Sequence, residues 1–251
     1  MKKYGIRSVY GGLKLFALLI CSLLLAYSNT AIAQKNAAAD TTIKEPEVKQ
    51  PRDLKVLREY SDGRGNIVRE VQYSQGSMRV TEMIIMPKPV AFNPRRPINP
   101  DTLIKDSLTI IVNKSQYTVQ VFYRKKMIRS YKAVFGPNPK MDKCMEGDRC
   151  TPEGWFKIAA KNPASKYTKF MLLNYPNDSS YYKFNKLKDA GKIPKTARIG
   201  NAIGIHGIWK GGDDMIEMGV GWTDGCVALK NRDIEELYTF AGVGTKVFIR
   251  K

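Results

Sequence analysis

Histidine is nearly absent from this chain: of 251 residues one is His, His206, and only four are Cys. Zinc and iron centres built on two or three imidazoles are therefore excluded. Any thiol–imidazole or hydroxyl–imidazole chemistry has to run through His206. Acid is also scarce, with 23 Asp+Glu against 42 Lys+Arg. Apolar residues are not scarce: 43% of the chain is hydrophobic and 10% aromatic, which excludes disorder throughout. The length accommodates one fair-sized domain plus extras.

The N-terminus is expected to be removed. Lys2, Lys3, Arg7 and Lys14 form a basic head, the apolar stretch from Leu15 to Tyr27 follows, and Ala31-Ile32-Ala33 supplies small residues before Gln34. That three-part layout is a secretory signal peptide over residues 1–33, with an apolar run too short for a comfortable membrane span. Cys21 follows Ile20 rather than a small residue, which argues against a lipoprotein signal. The expectation is export to the periplasm or cell envelope, with no stable membrane span after cleavage. Residues 1–33 hold four basic residues and no acid, so cleavage lowers the net charge from +19 to +15. Such a charge attracts anionic partners at the cell surface; export and the absence of any RNA- or DNA-reading motif argue against nucleic acid. Cys144, Cys150 and Cys226 remain, and an oxidising compartment makes Cys144 and Cys150 candidates for a disulfide, with Cys226 as the odd thiol.

Along the mature chain, residues 34–53 are polar and read as a flexible leader. Residues 54–87 carry short β-branched runs broken by Gly63, Gly65 and Gly76, the pattern of a small antiparallel β meander. Residues 88–104 form a Pro-rich linker; 87–101 alone contain five prolines. The main domain, residues 105–251, opens with strands at Leu108–Val112, Tyr117–Phe122 and Ile128–Phe135, and another falls at Trp155–Ala160. Helices are expected at 181–190, closed by Gly191, and from an N-cap at Asn231 to about Ala241, before a terminal strand at Gly244–Ile249. The fold class is mainly β with short helices.

Two stretches concentrate the chemistry. In Ile203-Gly-Ile-His206-Gly207-Ile208-Trp209, alternation puts His206 on the face opposite Ile203 and Ile205. In Gly221-Trp222-Thr223-Asp224-Gly225-Cys226-Val227-Ala228-Leu229, the thiol starts what reads as a buried strand. A thiol alone is mostly protonated at neutral pH, and an imidazole in reach makes the thiolate. Glycine beside a nucleophile lets a carbonyl approach, and backbone N–H groups there can hold an oxyanion. Either residue alone is weak; both, Gly-flanked in an exported chain, point to catalysis.

His206-Gly207, fifteen residues, then Thr223-x-Gly225-Cys226-Val227 resembles the active-site signature of the L,D-transpeptidase catalytic domain (YkuD-like) family. Gly147-Asp148-Arg149-x-Thr151-Pro152-Glu153-Gly154, Asn162-Pro163-x-Ser165-x-Tyr167, Tyr175-Pro176-Asn177 and Gly244-Thr245-x-Val247-x-Ile249 extend the likeness over about residues 105–251. It does not cover the meander. The resemblance implies an L,D-transpeptidase-type mixed β-sandwich or barrel, with Cys226 as nucleophile, His206 as general acid/base and the Gly225 N–H as oxyanion donor. Gly207, Thr223, Trp222 and Asp224 become candidate substrate-binding residues. The implied partners are peptidoglycan stem peptides, no metal or organic cofactor being required, and the acyl acceptor is a second stem, a lipoprotein lysine or water. Where the commoner family motif has a second His and a later Arg, this chain has Asp224 and Ala228, which resembles a branch that includes hydrolases. A basic wall-binding protein with an idle catalytic domain is the reading from another class. Trp209 is a further candidate groove residue, and Arg198 and Lys161 are candidate grips for stem carboxylates, whereas Asp213 and Asp214 read as solvated.

Overall fold

The computed structural model describes residues 51–87 and 97–251. The expected signal peptide, nearly all of the leader and linker residues 88–96 lie outside them. No helix among the described residues is long and apolar enough to cross a membrane.

The first sheet is the expected meander. β1 (Pro51–Ser61), β2 (Asn66–Gln75) and β3 (Met78–Pro87) pair antiparallel in the order β1-β2-β3. β1 begins three residues inside what composition marks as leader. The turn after β1 is set by Asp62, whose carboxylate accepts the backbone N–H groups of Arg64 and Asn66, with Gly63 and Gly65 at positive φ.

The second sheet closes on itself. β4 (Leu108–Asn113), β5 (Thr118–Tyr123), β6 (Lys126–Val134), β7 (Gly154–Ser165), β8 (Thr168–Leu173), β9 (Gly204–His206), β10 (Val227–Leu229) and β11 (Lys246–Arg250) form a barrel in the order β10-β6-β5-β4-β11-β7-β8-β9. β9 then pairs in parallel with β10, and β4 with β11, whereas the other neighbours run antiparallel. Alternation drives the closure: Leu108, Ile110 and Val112 of β4 point inward beside Val119 and Val121 of β5 and Val247 and Ile249 of β11.

Among the described residues three α-helices accompany the barrel: α1 (Asp178–Asp189), α2 (Asp213–Met218) and α3 (Asn231–Phe240). Asn177 caps α1 by accepting the Ser180 N–H at 3.0 Å. α3 departs from expectation at its start. Its cap position is Lys230, and Asn231, the first helical residue, turns its side chain elsewhere. Asp213, expected to be solvated, accepts the Asn231 N–H at 2.9 Å and so satisfies a helix-end donor. β8 and α2 were not anticipated, and β7 runs five residues past its expected end.

The meander docks on the barrel. Val71, Tyr73, Ile84 and Met86 are buried in one cluster with Ile208, Met215, Ile216, Val220 and Trp222. Each large apolar side chain fully buried there contributes about 1.5–3 kcal/mol.

Candidate active site

β9 and β10 put the two chemistry-bearing stretches side by side. Their parallel register pairs Val227 with Ile205 and Ala228 with His206, so Cys226, one residue before β10, lies level with the start of β9. The Gly204 N–H points at its sulfur over 3.4 Å, and the Ala202 carbonyl lies 3.5 Å from it. Gly204 is required here, because a Cβ would come within 2.6 Å of the Phe170 ring.

His206 is 1% exposed and walled by aromatics: Tyr167 stacks at 4.7 Å, Phe170 at 5.8 Å, and Trp222 meets it edge-on at 5.5 Å. Its Nδ1 is 2.6 Å from the Gly207 carbonyl. A carbonyl only accepts, so Nδ1 carries the proton and Nε2 the lone pair. Burial pushes the imidazole pKa down to about 4, Lys166 adding to the effect and the Gly207 bond opposing it. At neutral pH the ring is therefore an uncharged base.

The turn into Cys226 is shaped from within. Gly225 has φ +127°, and a Cβ on it would stand 2.5 Å from the Cys150 carbonyl oxygen. Its N–H is directed at Thr223 Oγ1 at 3.3 Å, and that hydroxyl donates to the Cys226 carbonyl at 2.7 Å. In this structure the Gly225 N–H, the expected oxyanion donor, is directed inside the turn.

Of the four expected substrate-binding residues, one faces solvent. Asp224 is exposed and accepts from Arg149 Nε at 3.0 Å, while Arg149 also reaches the Trp222 carbonyl at 3.4 Å. Thr223 and Trp222 are buried, and Gly207 spends its N–H on Tyr167 and its carbonyl on His206. In this structure these three are packed into the walls of the site. Trp209 packs edge-on against Trp222 at 5.0 Å. Lys161 donates to the Tyr238 and Ala241 carbonyls, both at 2.7 Å, closing the end of α3, and Arg198 pairs with Glu146 at 2.8 Å.

Cys144 and Cys150, the candidate disulfide pair, stand as free thiols in this structure. Their loop is held instead by the Asp148 carboxylate, which accepts the N–H groups of Cys144, Met145 and Cys150 and pairs with Lys143 at 2.8 Å. Burial opposes that charge, but the ammonium and the three donors outweigh it and keep the carboxyl below its ordinary value. The two sulfurs turn to different carbonyls, those of Asp142 and Asp148. Burial, with Asp148 adding, pushes the Cys150 thiol up to about 11 and Cys144 upward as well, so neither is a ready nucleophile.

Sequence reasoning left several site-building residues unassigned. Tyr167 and Arg149 sit inside motifs that carry the family likeness, and Phe170 has no local signal at all. Asn231 Oδ1 accepts from Ile208 N at 2.9 Å and Thr168 Oγ1 at 2.6 Å, pinning the turn after His206. The buried Lys114 ammonium bridges the Met141 and Thr151 carbonyls and pairs with Glu153 at 2.7 Å, fastening the 141–153 loop that carries Arg149 and Cys150. On the meander side, Glu82 accepts from the Tyr73 hydroxyl at 3.2 Å. Burial raises its carboxyl against that bond and the Arg149 charge. A cavity of about 360 Å³ lies between Glu82–Ile85 and the Gly136–Met141 loop.

Comparison with known proteins follows the same lines. Residues 107–249 match the family model of the L,D-transpeptidase catalytic domain, YkuD. Similar solved structures include an L,D-transpeptidase from Xylanimonas cellulosilytica, 13% identical over 59% of this chain and 62% of that one, TM-score 0.37. One from Stackebrandtia nassauensis is 19% identical over 60% and 58%, TM-score 0.37, and one from Mycobacterium smegmatis 13% identical over 79% and 82%, TM-score 0.36. The chain thus spans about three fifths of the first two relatives. No curated protein sequence gives a significant match. With the family model covering more than half of its residues, this chain belongs to the L,D-transpeptidase catalytic domain family.

Proposed function

We propose that the protein is an exported, cysteine-dependent L,D-transpeptidase acting on peptidoglycan stem peptides. The observation that carries this reading is the parallel β9–β10 pairing, which sets Cys226 beside a neutral His206 whose Nδ1 is tied to the Gly207 carbonyl. Export rests on the signal-peptide layout of residues 1–33.

The steps follow from the groups in place. As Cys226 Sγ attacks the carbonyl carbon of the third, diamino-acid residue, its proton passes to His206 Nε2. Burial disfavours a resting imidazolium, so the transfer accompanies attack rather than preceding it. The tetrahedral adduct collapses, the C–N bond to D-Ala breaks, and the departing amine takes the proton from Nε2. A thioester to Cys226 remains. An acceptor amine then attacks it, gives its proton to Nε2, and the thiol leaves reprotonated with a new amide formed.

A second reading keeps the thioester and lets water resolve it, giving a free carboxylate. Asp224 favours it, since an exposed acid paired with Arg149 stands where the commoner motif has a second His. Product analysis with and without an acceptor amine separates the two; a cross-linked dimer as main product rules out the hydrolase.

Intact-protein mass spectrometry with disaccharide-tetrapeptide tests the mechanism. The expected result is a mass increase equal to the stem peptide minus D-Ala, absent from Cys226→Ala. His206→Gln should slow adduct formation by about 10²–10⁴-fold. Full turnover by Cys226→Ala would overturn the assignment.

A further inference from the structure

Across the ring from β10, the outward face of β11 and its neighbour β7 carries a surface that the proposed chemistry does not use. Trp155 is 57% exposed, although strand position would let a smaller polar residue serve. Its registered partner on β11 is Phe248, and the two rings stack at 4.7 Å and 27°. Two residues along the same face, Lys157 is registered directly against Lys246. Like charges opposite one another on adjacent strands repel, and among the described residues neither ammonium forms an ion pair or side-chain hydrogen bond. A stacked aromatic platform beside an unneutralised pair of cations is a surface built for something to cover it.

The remaining lining defines the ligand. The groove, about 520 Å³, is bounded by these strands and by Asn174, Asn177, Asp178 and Ser179 at the start of α1, so its lining carries two ammonium groups against one carboxylate. Asn177 Nδ2 donates to the Trp155 carbonyl at 2.9 Å, and Asn174 Oδ1 accepts the Lys157 N–H at 2.7 Å. Both amides are thus fixed, and the Asn174 NH₂ is left as a donor at the groove. A volume of this size suits a few sugar rings rather than a protein partner, whose interface would be flatter and much larger. The C–H face of a pyranose is electropositive and suits the electron-rich face of an indole. Amide and hydroxyl groups at the rim suit sugar hydroxyls and acetamido groups, and the lysine pair suits a carboxylate.

We propose that the Trp155–Phe248 platform with Lys157 and Lys246 is a binding site for a carboxylate-bearing polysaccharide strand, separate from the Cys226 centre. The proposal rests on the cell-wall reading for its probe and for the role of the site. Its role is to hold the enzyme on a glycan strand while Cys226 works on a peptide.

The test uses the Cys226→Ala protein, titrated calorimetrically with peptidoglycan glycan strands stripped of their stem peptides, which leaves the lactyl carboxylates free. The expected result is saturable binding, weakened at least tenfold by Trp155→Ala and retained in Trp155→Phe. Lys157→Ala/Lys246→Ala should weaken binding to the acidic strands while leaving a neutral N-acetylglucosamine oligomer unaffected. In the protein with Cys226 intact, Trp155→Ala should form the acyl adduct with soluble disaccharide-tetrapeptide at the parent rate. Absence of binding, or equal affinity in parent and Trp155→Ala, would overturn the proposal. Glycan binding without any Cys226 adduct would instead sink the transpeptidase reading and leave this site standing.

Discussion

At the residue scale, His206 is the group on which pH acts. Its folded-state pKa, about 4, lies below the ordinary value of 6.5 because the ring is buried. Between those values the unfolded chain binds a proton that the native state refuses, so stability rises with pH across the window and the contribution is complete above it. The gap amounts to about 3 kcal/mol lost by pH 4. Urea unfolding midpoints between pH 4 and 7 should therefore fall more steeply with acid in the parent than in His206→Gln. Cys226 and His206 stand out in the sequence as candidates because each is a chemically rare residue flanked by glycine. Tyr167 and Arg149, and the part Gly207 plays through its carbonyl, do not, because these are matters of contact: a carbonyl held against Nδ1, a ring stacked on the imidazole, a guanidinium held by Asp224 from a loop 75 residues away. Nothing in a residue's identity announces its own carbonyl as a functional group.

At the scale of elements, alternation made most strands visible before any coordinates: β4, β5 and β6 fall within two residues of their expected bounds. What escaped lacked a local signal. The β5–β6 hairpin turns on Arg124 and Lys125, both at positive φ, where the strong sequence cue would be Asn-Gly. β8 sits in an apolar run whose helix or strand character periodicity leaves open. Asn231 reads as an N-cap by residue type, yet tertiary contacts with Ile208 and Thr168 claim its side chain. The 141–153 loop offers only its cysteine pair as a constraint in sequence, and in the structure it is held by Lys114 from the end of β4. Lys114→Met should destabilise the protein by about 3 kcal/mol, since Glu153 loses its partner and two carbonyls lose their donor. Hydrogen exchange should quicken first at the Cys144, Met145 and Cys150 amides; unchanged protection there would show that Asp148 alone holds the loop.

For the whole molecule, the meander was legible as a sheet but not as part of the barrel, because docking depends on which face of β2 and β3 meets α2 and Trp222. Met86 is buried against Gly219 at that contact. Met86→Ala should cost about 2–5 kcal/mol and lower the midpoint of a single thermal transition. A separate early transition would mean that the two sheets unfold independently. The barrel itself closes through the β9–β10 seam, and the excursion between those strands surfaces at exposed Lys210 and Gly211. A single peptide-bond cut there would leave His206, the proposed base, on one polypeptide and Cys226, the proposed nucleophile, on another. The shorter piece, residues 211–251, would still thread β10 between β6 and β9, and β11 between β4 and β7, all four held by the longer one. Neither fragment would contain a reactive centre, so catalysis would become a reporter of their reassembly.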